Sequence, residues 1–359
     1  MKNIFLKAYL KRNLGDDLFI KIICERYKDF FIINNDPKYD YTNISDNLKS
    51  NTSKIKKVFY KVIEKVKNTS NFQEKKIISM CDLWVTIGGS IFIENSNYKK
   101  QTANLLNIYD NKLDKLILGA NFGPYKSEEF KKTIENGIFK KCLDVSFRDT
   151  SSYKLFSHLP NIRYNPDIIL SLGTEKIQIK NNKKVIISVI DCTDRNINKD
   201  KYENKIIEFI NYFFTNNYEI ILMSFCQYEK DERAIKSILK KIRNKQIKGQ
   251  VKKYFYRKNI DEAINLIASS SIIVGSRFHA NILGLKFNKV VIPIAYSDKT
   301  INALNDLGYK SKIYDARNID DIKIDSEFEQ NLKYKCDVSE KIKQSENHFS
   351  ILDTILERR

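Results

Sequence analysis

An arginine followed two residues later by a histidine, in Gly275-Ser276-Arg277-Phe278-His279, is the run with the most chemistry in it. A guanidinium such as that of Arg277 grips a carboxylate or phosphate through two parallel N–H bonds. The imidazole of His279 can exchange a proton near neutral pH. The run follows the apolar Ile272-Ile273-Val274 and opens a helical pattern. Ser276 and Arg277 therefore fall at a strand-to-helix switch, where backbone N–H groups and the helix dipole favour an anion. A salt-bridged arginine with a capping histidine would explain an isolated Arg-x-His; the place at the switch favours chemistry. Arg148-Asp149 repeats the theme after Asp144–Phe147, as an anion site or as an arginine–aspartate pair. Gly88-Gly89-Ser90 ends Leu83–Ile87 and either admits a ligand to the backbone or makes a tight turn. It is not Gly-x-Gly-x-x-Gly, which argues against a dinucleotide. In Asn13-Leu14-Gly15-Asp16, Asp16 either caps the next helix or meets sugar hydroxyls. Lys299 is a further cation at a strand exit, or a solvated surface lysine. Cys192 has no histidine near it in sequence and reads as a structural thiol.

These motifs need elements to hold them. Short apolar runs read as strands at Asn3–Tyr9, Phe30–Ile33, Leu83–Ile87, Lys115–Leu118, Asp144–Phe147, Val185–Ile190, Glu219–Ser224, Val251–Tyr256, Ile272–Val274 and Val290–Ile294. Between them lie helical patterns, among them Leu18–Tyr27, Ile55–Val66, Ser127–Ile138 with Ser127 as its cap, Lys201–Asn216, Lys230–Arg243, Asp261–Ala268 and Phe278–Leu285. Alternation of this kind implies parallel α/β sheets. The polar stretch Asn181-Asn182-Lys183-Lys184 divides the pattern. The expectation is two doubly wound, Rossmann-like domains, 1–178 and 183–335, facing across a cleft. An amphipathic helix, Ser339–Leu356, lies in the remaining 336–359. Ligands of such sheets bind beyond the carboxyl ends of strands, which is where the polar motifs fall.

Composition excludes more than it assigns. A chain of 359 residues suits about two domains, and 11 glycines with 5 prolines rule out collagen-like or linker-dominated sequence. Lys plus Arg is 63 and Asp plus Glu is 44, a net charge of +19. The lysines are spread along the chain with no nucleic-acid-binding signature beside them, so they read as solvated faces rather than a nucleic-acid surface. Six cysteines and three histidines are scattered without metal-ligand spacing, so no metal site is expected. Charge interrupts the opening MKNIFLKAYLKRN, and no apolar run approaches the ~20 residues of a membrane span. The expectation is a soluble, cytoplasmic protein.

The order of motifs resembles the polysaccharide pyruvyltransferase family. It comprises Asn13-x-Gly15-Asp16, Gly88-Gly89-Ser90, Gly119-x-x-x-Gly123-Pro124, Arg148-Asp149, Pro166-Asp167, Arg277-Phe278-His279-Ala280 and Tyr296-x-x-Lys299. Ser90 departs from the family's usual third glycine, and Asp191 ends the strand that opens the second half. The resemblance implies a GT-B-like fold and transfer of pyruvate from phosphoenolpyruvate onto sugar hydroxyls, as a ketal, in cell-surface glycan synthesis. It implies no cofactor beyond that donor substrate. It implies Arg148, Arg277 and His279 as donor-binding residues; Ser276 and Lys299 join them by position. His279 and Arg277 are the candidate catalytic residues. Asn13, Gly15, Asp16, Gly88, Gly89 and Ser90 are the candidate acceptor side. The partner is a glycan or lipid-linked sugar; in the lipid-linked case the protein associates with the inner face of the membrane. Two other readings stand beside this one: a GT-B-type glycosyltransferase using a nucleotide sugar, and a basic protein binding nucleic acid or a membrane surface.

Overall fold

A computed structural model of the chain describes residues 2–9, 12–34, 46–50, 72–175, 177–193 and 195–357. The helix expected over Ile55–Val66 lies outside the described residues. Two parallel sheets carry the fold. Strands β1 (Asn3–Lys7), β2 (Phe31–Asn34), β3 (Leu48–Ser50), β4 (Leu83–Ile87), β5 (Ser90–Phe92), β6 (Asp114–Phe122), β7 (Asp144–Phe147) and β8 (Ile162–Tyr164) form the first. Among the described residues its order is β3-β2-β1-β4-β6-β7-β8, with β5 beside the end of β6. Strands β9 (Lys184–Ser188), β10 (Glu219–Ser224), β11 (Lys252–Phe255), β12 (Ile272–Gly275), β13 (Val290–Ala295) and β14 (Tyr314–Asp315) form the second, in the order β11-β10-β9-β12-β13-β14. Each sheet starts in the middle, winds outward, then returns to wind the other way. The reversal falls between β1 and β4 in one sheet and between β9 and β12 in the other. Loops leaving such a pair diverge, and the space between them is where doubly wound sheets take ligands.

The central strands are continuous β-branched and aliphatic runs because helices cover both faces. Val185, Ile186, Ile187, Ile273 and Val274 are all fully buried. Each such side chain contributes about 1.5–3 kcal/mol on burial. In the first unit the helical layer is aromatic: the ring of Phe156 packs edge-on against both Phe122 and Phe139 at 4.9 Å.

The chain divides into two compact units that are interleaved in sequence. The first is Met1–Leu10, Phe19–Ile168 and Gln344–Arg359; the second is Lys11–Leu18 and Ile169–Lys343. Two local differences from the sequence expectation explain the interleaving. The first helix begins at Leu14 instead of Leu18 and runs to Arg26. Asn13 starts it, its side-chain oxygen accepting from the N–H of Gly15 at 3.0 Å, so Asp16 lies in the first turn and is not the cap. The segment before it pairs with the β10 exit: Leu14 N–H donates to Phe225 at 2.9 Å and Asn13 bridges Cys226. At the other end, the helix expected over Ser339–Leu356 is two helices, Ser339–Ser345 and Ser350–Glu357, separated by a tighter turn, Glu346–Phe349. His348 causes the change of course: it is fully buried, and its Nε2 donates to the carbonyl of Pro166 at 2.7 Å. Among the described residues no helix is long and apolar enough to cross a membrane.

Candidate functional site

The motifs gather into two clusters, one in each unit. In the second unit, β12 ends at Gly275 and the helix Phe278–Lys286 begins three residues later. Ser188, at the end of β9, supports the turn between them. Its carbonyl accepts from Ser276 N–H at 3.2 Å, and its hydroxyl accepts from Arg277 N–H at 3.1 Å. The two backbone donors that sequence reasoning offered to an anion are thus engaged within the sheet. The Ser276 hydroxyl is also engaged, sharing a 2.7 Å hydrogen bond with Tyr202 in the interior. Asn281 braces the turn from one helical turn further on: its Nδ2 donates to Gly275 at 3.0 Å.

Arg277 is 5% exposed and lies in a network of charges. Its Nε donates to Asp231 Oδ2 at 3.0 Å and its Nη2 to Asp231 Oδ1. Its Nη1 donates to Glu229 at 2.6 Å. Burial alone would lower the pKa of this guanidinium, but Asp231 and then Glu229 outweigh it and hold it charged. Glu229 also accepts from Arg195, which stacks 5.0 Å above the ring of Tyr296. Burial works against the charged form of Glu229, yet Arg277 and Arg195 keep its pKa below the ordinary value. Asp191 pairs with Arg233 at 2.8 Å, and the pairing carries its pKa down to about 2 against the pull of burial.

His279 sits half-buried beside the loop that opens the first helix. A Cβ built on Gly15 would lie 1.6 Å from its Nδ1, so only glycine at that position leaves room for the ring. Gly15, and with it the Asn13–Asp16 loop of the second unit, is therefore brought beside His279. Lys299 joins the same neighbourhood, its Nζ 5.0 Å from the ring of Phe278.

The second cluster belongs to the first unit. Arg148, 3% exposed, follows β7; its Nη1 donates to Asp167 at 2.7 Å and its Nη2 to Asn121 at 3.0 Å. Its ion-pair partner is thus Asp167, while Asp149 caps the helix Thr150–Phe156 by accepting from Ser152 N–H at 2.7 Å. The guanidinium lies against Gly89, where a Cβ would fall 1.9 Å from Nη2. Gly88 and Ser90 flank that contact, and the Ser90 hydroxyl donates to Asn121 at 3.4 Å.

Sequence reasoning missed Arg195, Glu229, Asp231, Asn121 and Asn281. Only Asn281 left a local signal, four residues after Arg277 and so on the same helix face. Cys192 is a buried thiol whose pKa burial pushes up to about 12, as a structural cysteine requires. Among the described residues, no group of three or more His, Cys, Asp or Glu is placed to hold a metal ion.

Two parallel sheets of this order, each with its polar groups at strand ends, define a GT-B-type α/β protein. The fold is similar to the UDP-GlcNAc 2-epimerase of Neisseria meningitidis, solved bound to UDP-GlcNAc. That match has a TM-score of 0.62 and 11% identity over 99% of this chain and 100% of the other. The Methanocaldococcus jannaschii UDP-GlcNAc 2-epimerase gives a TM-score of 0.60 at 12% identity, over 98% and 99%. The chain belongs to the polysaccharide pyruvyl transferase family, whose model matches residues 13–298. It is also 20% identical over 292 residues to the amylovoran biosynthesis protein AmsJ of Erwinia amylovora, covering 73% of this chain and 68% of that one.

Proposed function

We propose that this protein moves pyruvate from phosphoenolpyruvate onto sugar hydroxyls of a cell-surface polysaccharide or its lipid-linked precursor, closing a ketal. The observation that carries the reading is a buried Arg277 together with the contact of His279 on Gly15 of the Asn13–Asp16 loop, in one unit of a family member. A fixed guanidinium followed two residues later by a half-buried imidazole suits a donor that is strongly anionic and must be protonated. Arg277 binds an oxyanion of the donor, with Lys299 adding positive charge nearby. Ser276 acts through Arg277, by fixing the turn. His279 delivers a proton to the donor methylene, and the second carbon becomes electrophilic. One sugar hydroxyl adds to that carbon, phosphate departs, and a second hydroxyl completes the ketal. Of the two hydroxyl protons, one restores the proton that His279 gave to the methylene and the other leaves with phosphate. Arg148 is the first unit's own anion-binding group, with Gly88, Gly89 and Ser90 beside it.

The experiment is incubation with phosphoenolpyruvate and candidate glycans, read as phosphate release and a pyruvyl mass gain. Arg277→Ala leaves the buried Asp231 without its guanidinium, a change that costs a protein about 3–5 kcal/mol. Arg277→Lys keeps a cation there while losing the paired N–H geometry. Both variants are expected to lose transfer, and the lysine variant to stay folded. Turnover equal to the wild type in Arg277→Lys would refute the assignment.

A further inference from the structure

Glu229 occupies a place that suits an incoming anion. Its carboxylate accepts from Arg277 Nη1 at 2.6 Å and from Arg195 Nη2, yet its side chain is 32% exposed. Neither arginine depends on it for position. Arg277 is fixed through Nε and Nη2 on Asp231, which is fully buried and itself accepts from the N–H groups of Phe225 at 3.0 Å and Cys226 at 2.9 Å. Arg195 donates through Nη1 to the carbonyl of Asp191 and stacks on Tyr296. Two guanidinium groups with other anchors are therefore joined by one carboxylate on a partly exposed residue past the end of β10.

Charge balance sharpens the point. Arg195, Arg233 and Arg277 face Asp191, Glu229 and Asp231, so the network is neutral as it stands. A carboxylate or phosphate arriving beside it meets Glu229 as a like charge; one arriving in its place restores the balance.

We propose that Glu229 is an internal placeholder, whose carboxylate is replaced between Arg277 and Arg195 by a carboxylate or phosphate oxygen of the donor, and that Arg195 is a donor-binding residue. This rests on the reading that the second unit takes an anionic donor. The placeholder lowers apparent donor affinity by the fraction of molecules in which it is seated. It also competes with departing phosphate, returning to the arginines as the product leaves.

Calorimetric titration of the full chain tests this, with phosphoenolpyruvate and inorganic phosphate as separate probes. Wild type, Glu229→Gln, Arg195→Gln and Arg195→Lys are compared, with melting curves to confirm folding. Glutamine keeps the shape of Glu229 and removes the competing charge, so both anions are expected to bind more tightly, by about threefold to tenfold. Arg195→Gln removes one charge-assisted contact and is expected to weaken binding about tenfold or more, with partial rescue by lysine. Unchanged or weaker binding of phosphoenolpyruvate in Glu229→Gln overturns the placeholder and leaves the donor reading standing. Unchanged binding in Arg195→Gln overturns the role of Arg195. If phosphate follows the expected pattern while phosphoenolpyruvate binds none of the proteins, the placeholder stands and the donor reading falls. Binding of neither anion to any of them overturns both.

Discussion

Alanine at position 15 would be favoured by the helix it helps to start and opposed by the imidazole beside it. Gly15 lies in the first turn of Leu14–Arg26, where replacing glycine by alanine gains up to about 1 kcal/mol of helix propensity. The added methyl would stand 1.6 Å from Nδ1 of His279, so the ring must move. Gly15→Ala is therefore expected to melt within about 4 °C of the wild type. It is expected to lose about 100-fold in pyruvyl transfer, the scale of a displaced proton donor. Full activity in that variant would show that His279 does not act from its place beside Gly15. The same pair shows what the sequence could and could not tell. Gly89 was legible as a place of close approach, and Gly15 only as a member of a candidate acceptor motif. In the structure each is approached by a side chain of its own unit, His279 in one case and Arg148 in the other. Arg277 was legible as an anion-binding group from its place at a strand exit. Its partners were not, because Asp231 and Glu229 stand 46 and 48 residues away and meet it only when β10 and β12 lie in one sheet.

Elements were legible in proportion to their apolar length. Leu83–Ile87 and Glu219–Ser224 match the sequence reading residue for residue, being largely apolar runs that a doubly covered sheet buries, and Asp144–Phe147 matches through the alternation of Val145 and Phe147 with polar residues. The edge strands β3, β8 and β14 have three, three and two residues, too few to show a period. The C-terminal helix was read from amphipathicity alone, which cannot reveal that one histidine must enter the core and break it. That histidine gives the first unit a pH dependence with a definite sign. Burial, opposed by the hydrogen bond to Pro166, carries the pKa of His348 down to about 3. In the unfolded chain a histidine titrates near 6.5, so between those values the unfolded state holds the extra proton. Stability from this group is complete above pH 6.5 and declines as pH falls toward 3, by about 2 kcal/mol at pH 5. Urea unfolding at pH 7 and pH 5, followed by the fluorescence of Trp84 in β4, measures it in the first unit. His348→Gln should show the shallower dependence on pH. Equal slopes in the two proteins would mean that His348 takes up its proton without opening its contact with Pro166.

At the scale of the whole molecule, net charge and fold are both poor guides to substrate. Part of the basic complement is paired on the surface, as in Lys312–Glu327, Lys241–Asp200 and Arg317–Asp298, and these neutral pairs leave the surplus of +19 to other basic residues. Exposed pairs of this kind contribute little energy and define no binding face. The fold, meanwhile, is shared with enzymes solved on UDP-GlcNAc, so it serves a nucleotide-sugar enzyme as readily as a pyruvyltransferase. Only the groups at the strand exits separate the two. A nucleotide sugar presents a diphosphate flanked by a nucleoside and a sugar; phosphoenolpyruvate presents a carboxylate and a phosphate borne on one carbon. On the proposed reading, the buried Arg277, with Arg195 on the far side of Glu229, binds the donor's anionic groups, and His279, against Gly15, protonates it. A ligand held at 100 times its Kd stabilises a protein by about 2.7 kcal/mol, so melting curves can rank the candidates without an acceptor. Phosphoenolpyruvate is expected to raise the melting temperature of the wild type and to lose that effect in Arg277→Lys, while UDP-GlcNAc leaves both unchanged. The opposite ranking, with UDP-GlcNAc stabilising and phosphoenolpyruvate inert, would assign these strand exits to nucleotide-sugar chemistry.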